Sequence, residues 1–71
     1  MTKKYTLKAL RVNKGLSTLE ASKWLNVSEP TLISWEKGRT FPKVNKLPEI
    51  EKLYGISYDS INFLIDNTVK P

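Results

Sequence analysis

Hydrophobic residues recur at intervals of three and four along most of the chain, a spacing that places them on one face of an α-helix. A half-buried strand would alternate apolar and polar residues, and no run of alternating β-branched residues occurs. The spacing divides into five short segments, bounded by residues that begin or end helices. The sequence therefore predicts an all-α fold, with five helices in a single domain over residues 1–71.

The first two predicted helices begin at polar cap residues. Helix one should run over about residues 7–14, between Thr6 as N-cap and Gly15, which takes a left-handed conformation at no steric cost. Helix two should begin at Ser17, because Ser17 and Glu20 have the spacing of a capping box. The residues of this helix expected to face the core are Ala21, Trp24 and Leu25.

A tight corner separates the second predicted helix from the third. Asn26 and Val27 make this corner, and asparagine is the best substitute for glycine where φ must be positive. Helix three should begin at Ser28, with Pro30 in its first turn, and end at Gly38. Its expected core residues are Leu32 and Trp35. Both tryptophans of the chain are thus predicted to be core residues rather than stacking platforms for nucleic acid.

Two more helices are predicted after a loop. Helix four should have Asn45 as N-cap and Pro48 as its third residue, and should end at Gly55. Helix five should begin at Ser57, and residues 67–71 should be a frayed tail. This last helix carries more apolar residues than one buried face needs, which indicates a contact with a second copy of the chain. The residues predicted for that contact are Ile61, Phe63, Leu64 and Ile65.

The positive charge is concentrated in the part of the chain that contains the tight corner. Residues 1–46 hold ten lysines or arginines and three acids, whereas residues 47–71 hold two lysines and four acids, for a net charge of +5. A one-sided basic surface is the electrostatic footprint of a phosphate-binding protein. On charge alone, a basic face that is merely solvated remains an equal alternative.

The composition excludes several classes of function. The chain has no cysteine and no histidine, so it lacks a disulfide framework, the commonest metal ligand and the commonest general base. We therefore expect no enzyme activity, no cofactor and no metal. No apolar run approaches the roughly 20 residues that span a membrane, and the N-terminus is too short and polar for a signal peptide. The cytoplasm is the expected location.

Several short motifs occur in order along residues 7–63. They are Leu7–Arg11 (LKALR), Gly15–Ser17 (GLS), Leu25–Ser28 (LNVS), Trp35–Gly38 (WEKG), Pro42, Tyr54–Ser57 (YGIS) and Asp59. In this order and spacing they resemble the helix-turn-helix domain of phage repressors and Cro proteins, the lambda-repressor-like (XRE) family. The resemblance implies a five-helix fold in which residues 17–36 form the DNA-binding unit.

The resemblance also implies which residues contact DNA. In this family the third helix enters the major groove and its N-terminal residues reach base edges. The implied base readers are Glu29, Pro30, Thr31 and Ser34. Phosphate contacts are implied near the helix starts, at Thr18 and Ser28, and in the loop after helix three, at Arg39, Thr40 and Lys43. Arg11 and Glu36 correspond to a structural ion pair.

The reading surface departs from the family pattern. Thr18 stands where glutamine is usual, and the surface lacks arginine, glutamine and asparagine, which make the strongest bidentate base contacts. Pro30 can offer only an apolar contact, for example to a thymine methyl group. Glu29 can accept a hydrogen bond from cytosine N4, but its charge repels phosphate.

The function implied is sequence-specific binding of double-stranded DNA by a Cro-like or repressor-like transcription regulator of phage or mobile-element type. Such a regulator would occupy its operator as a homodimer, with no small-molecule ligand. An antitoxin-type regulator is an alternative with the same fold. A protein-interaction module that keeps the fold without specific DNA binding is an alternative from another class, favoured by the unusual reading surface. Salt separates them, because binding through several phosphates weakens steeply as salt rises.

Overall fold

Four α-helices and a pair of two-residue strands form the fold in the computed structural model, which describes residues 4–64. The helices are α1 (Leu7–Asn13), α2 (Thr18–Leu25), α3 (Glu29–Glu36) and α4 (Leu47–Tyr54). The strands are β1 (Tyr5–Thr6) and β2 (Ile61–Asn62), and two 3-10 turns occupy Val44–Lys46 and Tyr58–Ser60. Within residues 4–64, no helix is long and apolar enough to cross a membrane.

The predicted caps of the first three helices are confirmed. The Thr6 hydroxyl accepts a hydrogen bond from the Ala9 N–H at 3.0 Å, which caps α1. Ser17 and Glu20 form the capping box of α2, with bonds of 3.0 and 2.8 Å. These bonds to Ser17 lower the pKa of the Glu20 carboxyl. The local sequence therefore determines where these helices begin.

The corner between α2 and α3 forms at Asn26, as predicted. Asn26 has φ 58° and ψ 47°, a left-handed conformation. The Val27 N–H donates to the Ser22 carbonyl at 2.9 Å, and the Asn26 N–H donates to the Lys23 carbonyl at 3.2 Å. This pair of bonds is a Schellman motif, which satisfies carbonyls at the end of α2 and turns the chain directly into α3.

The predicted start of helix four is wrong by one residue. Residues 44–46 form a 3-10 turn closed by a 2.8 Å bond from the Lys46 N–H to the Lys43 carbonyl, and α4 begins at Leu47. Pro48 is therefore the second residue of α4, and Asn45 lies inside the turn instead of capping the helix. Because proline has no N–H to donate to the carbonyl four residues earlier, α-helical bonding does not extend back to Val44.

The predicted fifth helix is wrong over the residues that the structure describes. Ser57 begins only a 3-10 turn, and the chain then extends into β2. β2 pairs in parallel with β1, with Ile61 opposite Tyr5 and Asn62 opposite Thr6. The pairing satisfies backbone groups across the sheet and buries Ile61, so the extended form is preferred to another helical turn. Ile65 and the predicted tail at 67–71 lie outside the described residues.

One core lies between the helices and β2. It consists of Leu7, Ala21, Leu25, Leu32, Trp35, Ile50, Leu53, Tyr54 and Ile61. The prediction that Trp24 faces this core is wrong, because its side chain is 56% exposed. The buried stripe of α2 is formed by Ala21, Ser22 and Leu25, and Trp24 lies about 100° around the helix from Leu25. Small residues in the stripe let the helices approach closely, so a tryptophan is not needed to fill the space.

Candidate nucleic-acid interface

A buried ion pair fixes α3 against α1. The Arg11 guanidinium donates to both carboxylate oxygens of Glu36, from Nε at 2.7 Å and from Nη2 at 3.2 Å. Arg11 also donates from Nη1 to the Leu16 carbonyl at 2.9 Å. The hydrogen bond to Glu36 raises the pKa of Arg11 above its ordinary value. Both side chains are buried, and two hydrogen bonds join them. The pair therefore sets the position of the C-terminal end of α3.

Lys46 links α4 to the end of α2. Its ammonium donates to the Leu25 carbonyl at 2.8 Å and lies 3.4 Å from a Glu49 carboxylate oxygen. A cation at a helix C-terminus satisfies a carbonyl that has no partner within the helix. This contact is not predictable from the sequence, since the two residues are 21 positions apart and no local pattern connects them.

The starts of α2 and α3 lie side by side. Thr18 and Glu29 are the first residues of their helices, and the Thr18 hydroxyl donates a hydrogen bond to the Glu29 carboxylate. Both residues are half-buried. The structure thus brings together one predicted phosphate contact and one predicted base reader, and the bond holds the Glu29 carboxylate at the N-terminus of α3.

Hydroxyl groups continue this surface along α3. Ser28 caps the helix by accepting from the Thr31 N–H at 3.2 Å, and the Ser28 and Thr31 hydroxyls lie 2.8 Å apart. Pro30 is exposed, and Thr31 and Ser34 are half-buried. The start of α3 therefore presents two hydroxyls, one carboxylate and a proline ring to a molecule that approaches it.

The loop after α3 adds positive charge. Arg39, Thr40 and Lys43 are all exposed, and neither cation forms an ion pair with an acid among residues 4–64. Pro42, between them, is fully buried and anchors the loop. The eight residues of α3 span about 12 Å along the helix axis. The predicted contacts therefore form two groups, one at each end of α3.

Three of the four residues predicted for a dimer contact lie among the described residues, and Ile65 does not. Ile61 is 3% exposed and packs into the core, so it cannot contact another chain. Phe63 is half-buried and its ring packs on Phe41, with ring centroids 4.8 Å apart. Leu64 is exposed. The prediction failed for Ile61 because it assumed a helix where β2 forms.

Residues 7–61 match the family model described as helix-turn-helix. The match covers well over half of the chain, so the protein belongs to the helix-turn-helix family, of the lambda-repressor-like type. This is a family of DNA-binding regulatory domains, not a family of enzymes. Comparisons with curated proteins and with solved structures gave no significant match.

Proposed function

We propose that the protein is a sequence-specific regulator of transcription that acts by occupying an operator in double-stranded DNA. The observation that carries this proposal is the arrangement of α3, which has a polar N-terminus at one end and, at the other, a basic loop whose cations form no ion pair among residues 4–64. In a helix-turn-helix protein, the second helix of the unit enters the major groove and the first crosses the backbone. Here those helices are α3 and α2.

The start of α3 supplies the contacts to base edges. The Glu29 carboxylate, held by Thr18, accepts a hydrogen bond from cytosine N4. The hydroxyls of Thr31 and Ser34 can donate or accept, and Pro30 offers an apolar contact to a thymine methyl group. The Thr18 hydroxyl donates its one proton to Glu29, so the phosphate contact of Thr18 is made by its backbone N–H at the start of α2.

The loop supplies most of the contacts to phosphate. Arg39 and Lys43 carry charges that no acid among the described residues neutralises, and the Thr40 hydroxyl lies between them in the chain. Ser28 adds the N–H groups of a helix start, where the dipole favours an anion. The Glu29 charge opposes this attraction locally. Affinity for DNA therefore depends mainly on the loop.

A pair of copies would place two copies of α3 in successive major grooves, about one helical turn of DNA apart. This homodimeric, Cro-like arrangement is the form we propose for a regulator of phage or mobile-element type. Phe63 and Leu64 remain as the proposed contact, since Ile61 is buried in the core. Sedimentation of the protein with a duplex of about 20 base pairs, long enough for two half-sites, measures the stoichiometry. Two chains per duplex support the dimer, and one chain at saturation contradicts it.

The test of DNA binding is fluorescence anisotropy with a labelled duplex, at several salt concentrations. Replacing Arg39 and Lys43 with alanine should weaken binding and, for each chain bound, reduce the slope of log K against log salt by about two, because each chain loses two phosphate contacts. A matched variant, Lys14→Ala with Lys52→Ala, removes two exposed cations elsewhere and should keep the wild-type slope. Equal slopes for the two double variants would contradict the proposed role of the loop.

A protein-interaction module is the second candidate, and one observation favours it. Trp24 and Leu19 are 56% and 49% exposed on α2, outside the proposed DNA-binding surface. An interaction module would bind its partner with little dependence on salt and would bind random DNA no better at low salt than at high salt. Trp24→Ala would then abolish partner binding, whereas in a DNA-binding regulator it leaves DNA affinity unchanged.

A further inference from the structure

We propose that the segment at residues 61–64 holds the basic loop in its DNA-binding position, which makes Gly38, Phe41 and Phe63 positioning residues for DNA affinity. This inference rests on the proposed function, because it assigns a role to the same loop. The segment and the loop are distant in the sequence, and two contacts join them in the structure.

The first contact is a close approach of two backbone segments. Gly38 ends α3 with φ +75°, and a Cβ placed on it would lie 2.9 Å from both the carbonyl carbon and the Cβ of Leu64, and closer still to the Leu64 carbonyl oxygen. Real Cβ atoms essentially never come so near another heavy atom. The chain after β2 therefore packs directly on the residue that precedes Arg39, at a distance that only glycine permits.

The second contact joins two aromatic rings. Phe41 lies in the loop between Thr40 and Pro42, and its ring packs on Phe63 at 4.8 Å with an angle of 55° between the ring planes. This is a tilted arrangement of the kind that aromatic pairs prefer. Phe41 is still 48% exposed, so without Phe63 its ring would have little apolar surface against which to pack.

The segment that makes these contacts is itself anchored. Ile61 is buried in the core and pairs with Tyr5, and the Asn62 side-chain carbonyl accepts from the Leu64 N–H at 2.9 Å. The loop is thus attached at Gly38, at Phe41 and at the buried Pro42. Of the side chains proposed to contact phosphate, Arg39 and Thr40 lie between these attachments, and Lys43 directly follows the last of them.

The first variant to test is Gly38→Ala, with Gly55→Ala as its matched control. Both glycines have positive φ, +75° and +66°, so alanine is strained at either site, but a Cβ on Gly55 meets no atom of residues 4–64 within 4 Å. Only Gly38→Ala should displace Leu64. We expect it to weaken binding to a random-sequence duplex at least about threefold relative to Gly55→Ala, and to reduce the salt slope by about one. Equal affinity and slope in the two variants would overturn the proposal.

Phe63→Leu gives a second test, because leucine keeps an apolar side chain while removing the ring contact. We expect a reduced salt slope for DNA binding and faster amide hydrogen exchange at residues 39–43. The control is Tyr58→Ala, which removes an exposed aromatic ring outside the contact and should change neither quantity. A change in stability alone would not alter the salt slope. If Gly38→Ala does not fold, the test rests on Phe63→Leu. Wild-type amide exchange at residues 39–43 together with a wild-type salt slope in that variant would overturn the proposal. Failure of the wild-type chain to bind DNA would instead contradict the proposed function.

Discussion

Two charged residues, Arg11 and Glu36, lie buried in this small protein because each is the hydrogen-bond partner of the other. Arg11 and Glu36 are 8% and 9% exposed, and each satisfies the other through two hydrogen bonds. Removing one partner of such a pair leaves a buried charge without compensation, which costs more than the intact pair contributes. Loss of one partner should therefore lower the free energy of unfolding by more than the intact pair contributes to it.

Arg11→Ala should lower the free energy of unfolding by about 3–5 kcal/mol, a large part of the total for a domain of this size. Urea denaturation measures the change, and Lys8→Ala, an exposed lysine on the same helix, should alter it by less than about 0.5 kcal/mol. Replacing both partners, by Arg11→Met with Glu36→Leu, should recover much of the loss. A loss below about 1 kcal/mol for Arg11→Ala would show that Glu36 reaches solvent.

Tyr54 gives a prediction about pH. Its hydroxyl is buried and has no hydrogen-bond partner among the described residues, and burial raises the pKa of Tyr54 to about 12. A tyrosine in the unfolded chain ionises near pH 10. The contribution of Tyr54 to the free energy of unfolding is therefore intact below pH 10 and is lost as pH rises from about 10 to 12. In Tyr54→Phe, the free energy of unfolding should no longer fall between pH 10 and 12 because of this residue. At pH 7 the substitution should be neutral or stabilising. A clear destabilisation at pH 7 would mean that the hydroxyl has a partner.

Trp24 shows that the spacing of apolar residues does not by itself determine which side chains of a helix are buried. Its spacing fits a core position, and Trp35, predicted by the same rule, is buried. Periodicity gives the apolar side of a helix but not the width of its buried stripe, which depends on the neighbouring elements. In α2 that stripe consists of Ala21, Ser22 and Leu25, and Trp24 falls outside it.

At the scale of elements, the helix starts were predictable because capping is local. Thr6, Ser17 and Ser28 each make the expected bond within three residues. The strand pair was not predictable, because β1 and β2 are two residues long and lie at opposite ends of the described chain. Nothing in the local sequence indicates such a pairing, so the segment after Ser57 was predicted to be helical.

The corner at Asn26 yields an element-scale prediction. Its φ of 58° favours glycine over any residue with a Cβ, and asparagine tolerates it best among the others. Asn26→Ala should therefore destabilise the fold by about 1 kcal/mol, and Asn26→Gly should be neutral or stabilising by a few tenths. Thermal unfolding of the three proteins gives the order Gly, Asn, Ala. An alanine variant as stable as wild type would mean that the corner does not require this conformation.

At the scale of the whole molecule, the DNA-binding unit is held from several directions. The Arg11–Glu36 pair attaches α3 to α1, the Lys46 bond to Leu25 attaches α4 to α2, and residues 61–64 pack on the loop. The family resemblance in the sequence indicated the helix-turn-helix unit and its candidate contacts. It could not indicate the Thr18–Glu29 bond or the support of the loop, since each joins residues that are distant in sequence.

We propose that DNA binds across the starts of α2 and α3 and along the basic loop. Titration of the ¹⁵N-labelled protein with a duplex at low salt, followed by amide chemical shifts, tests it most directly. We expect shifts concentrated at Thr18, at residues 28–34 and at residues 39–43, with α4 unaffected. Shifts concentrated in α4, or no shifts at all at low salt, would contradict it.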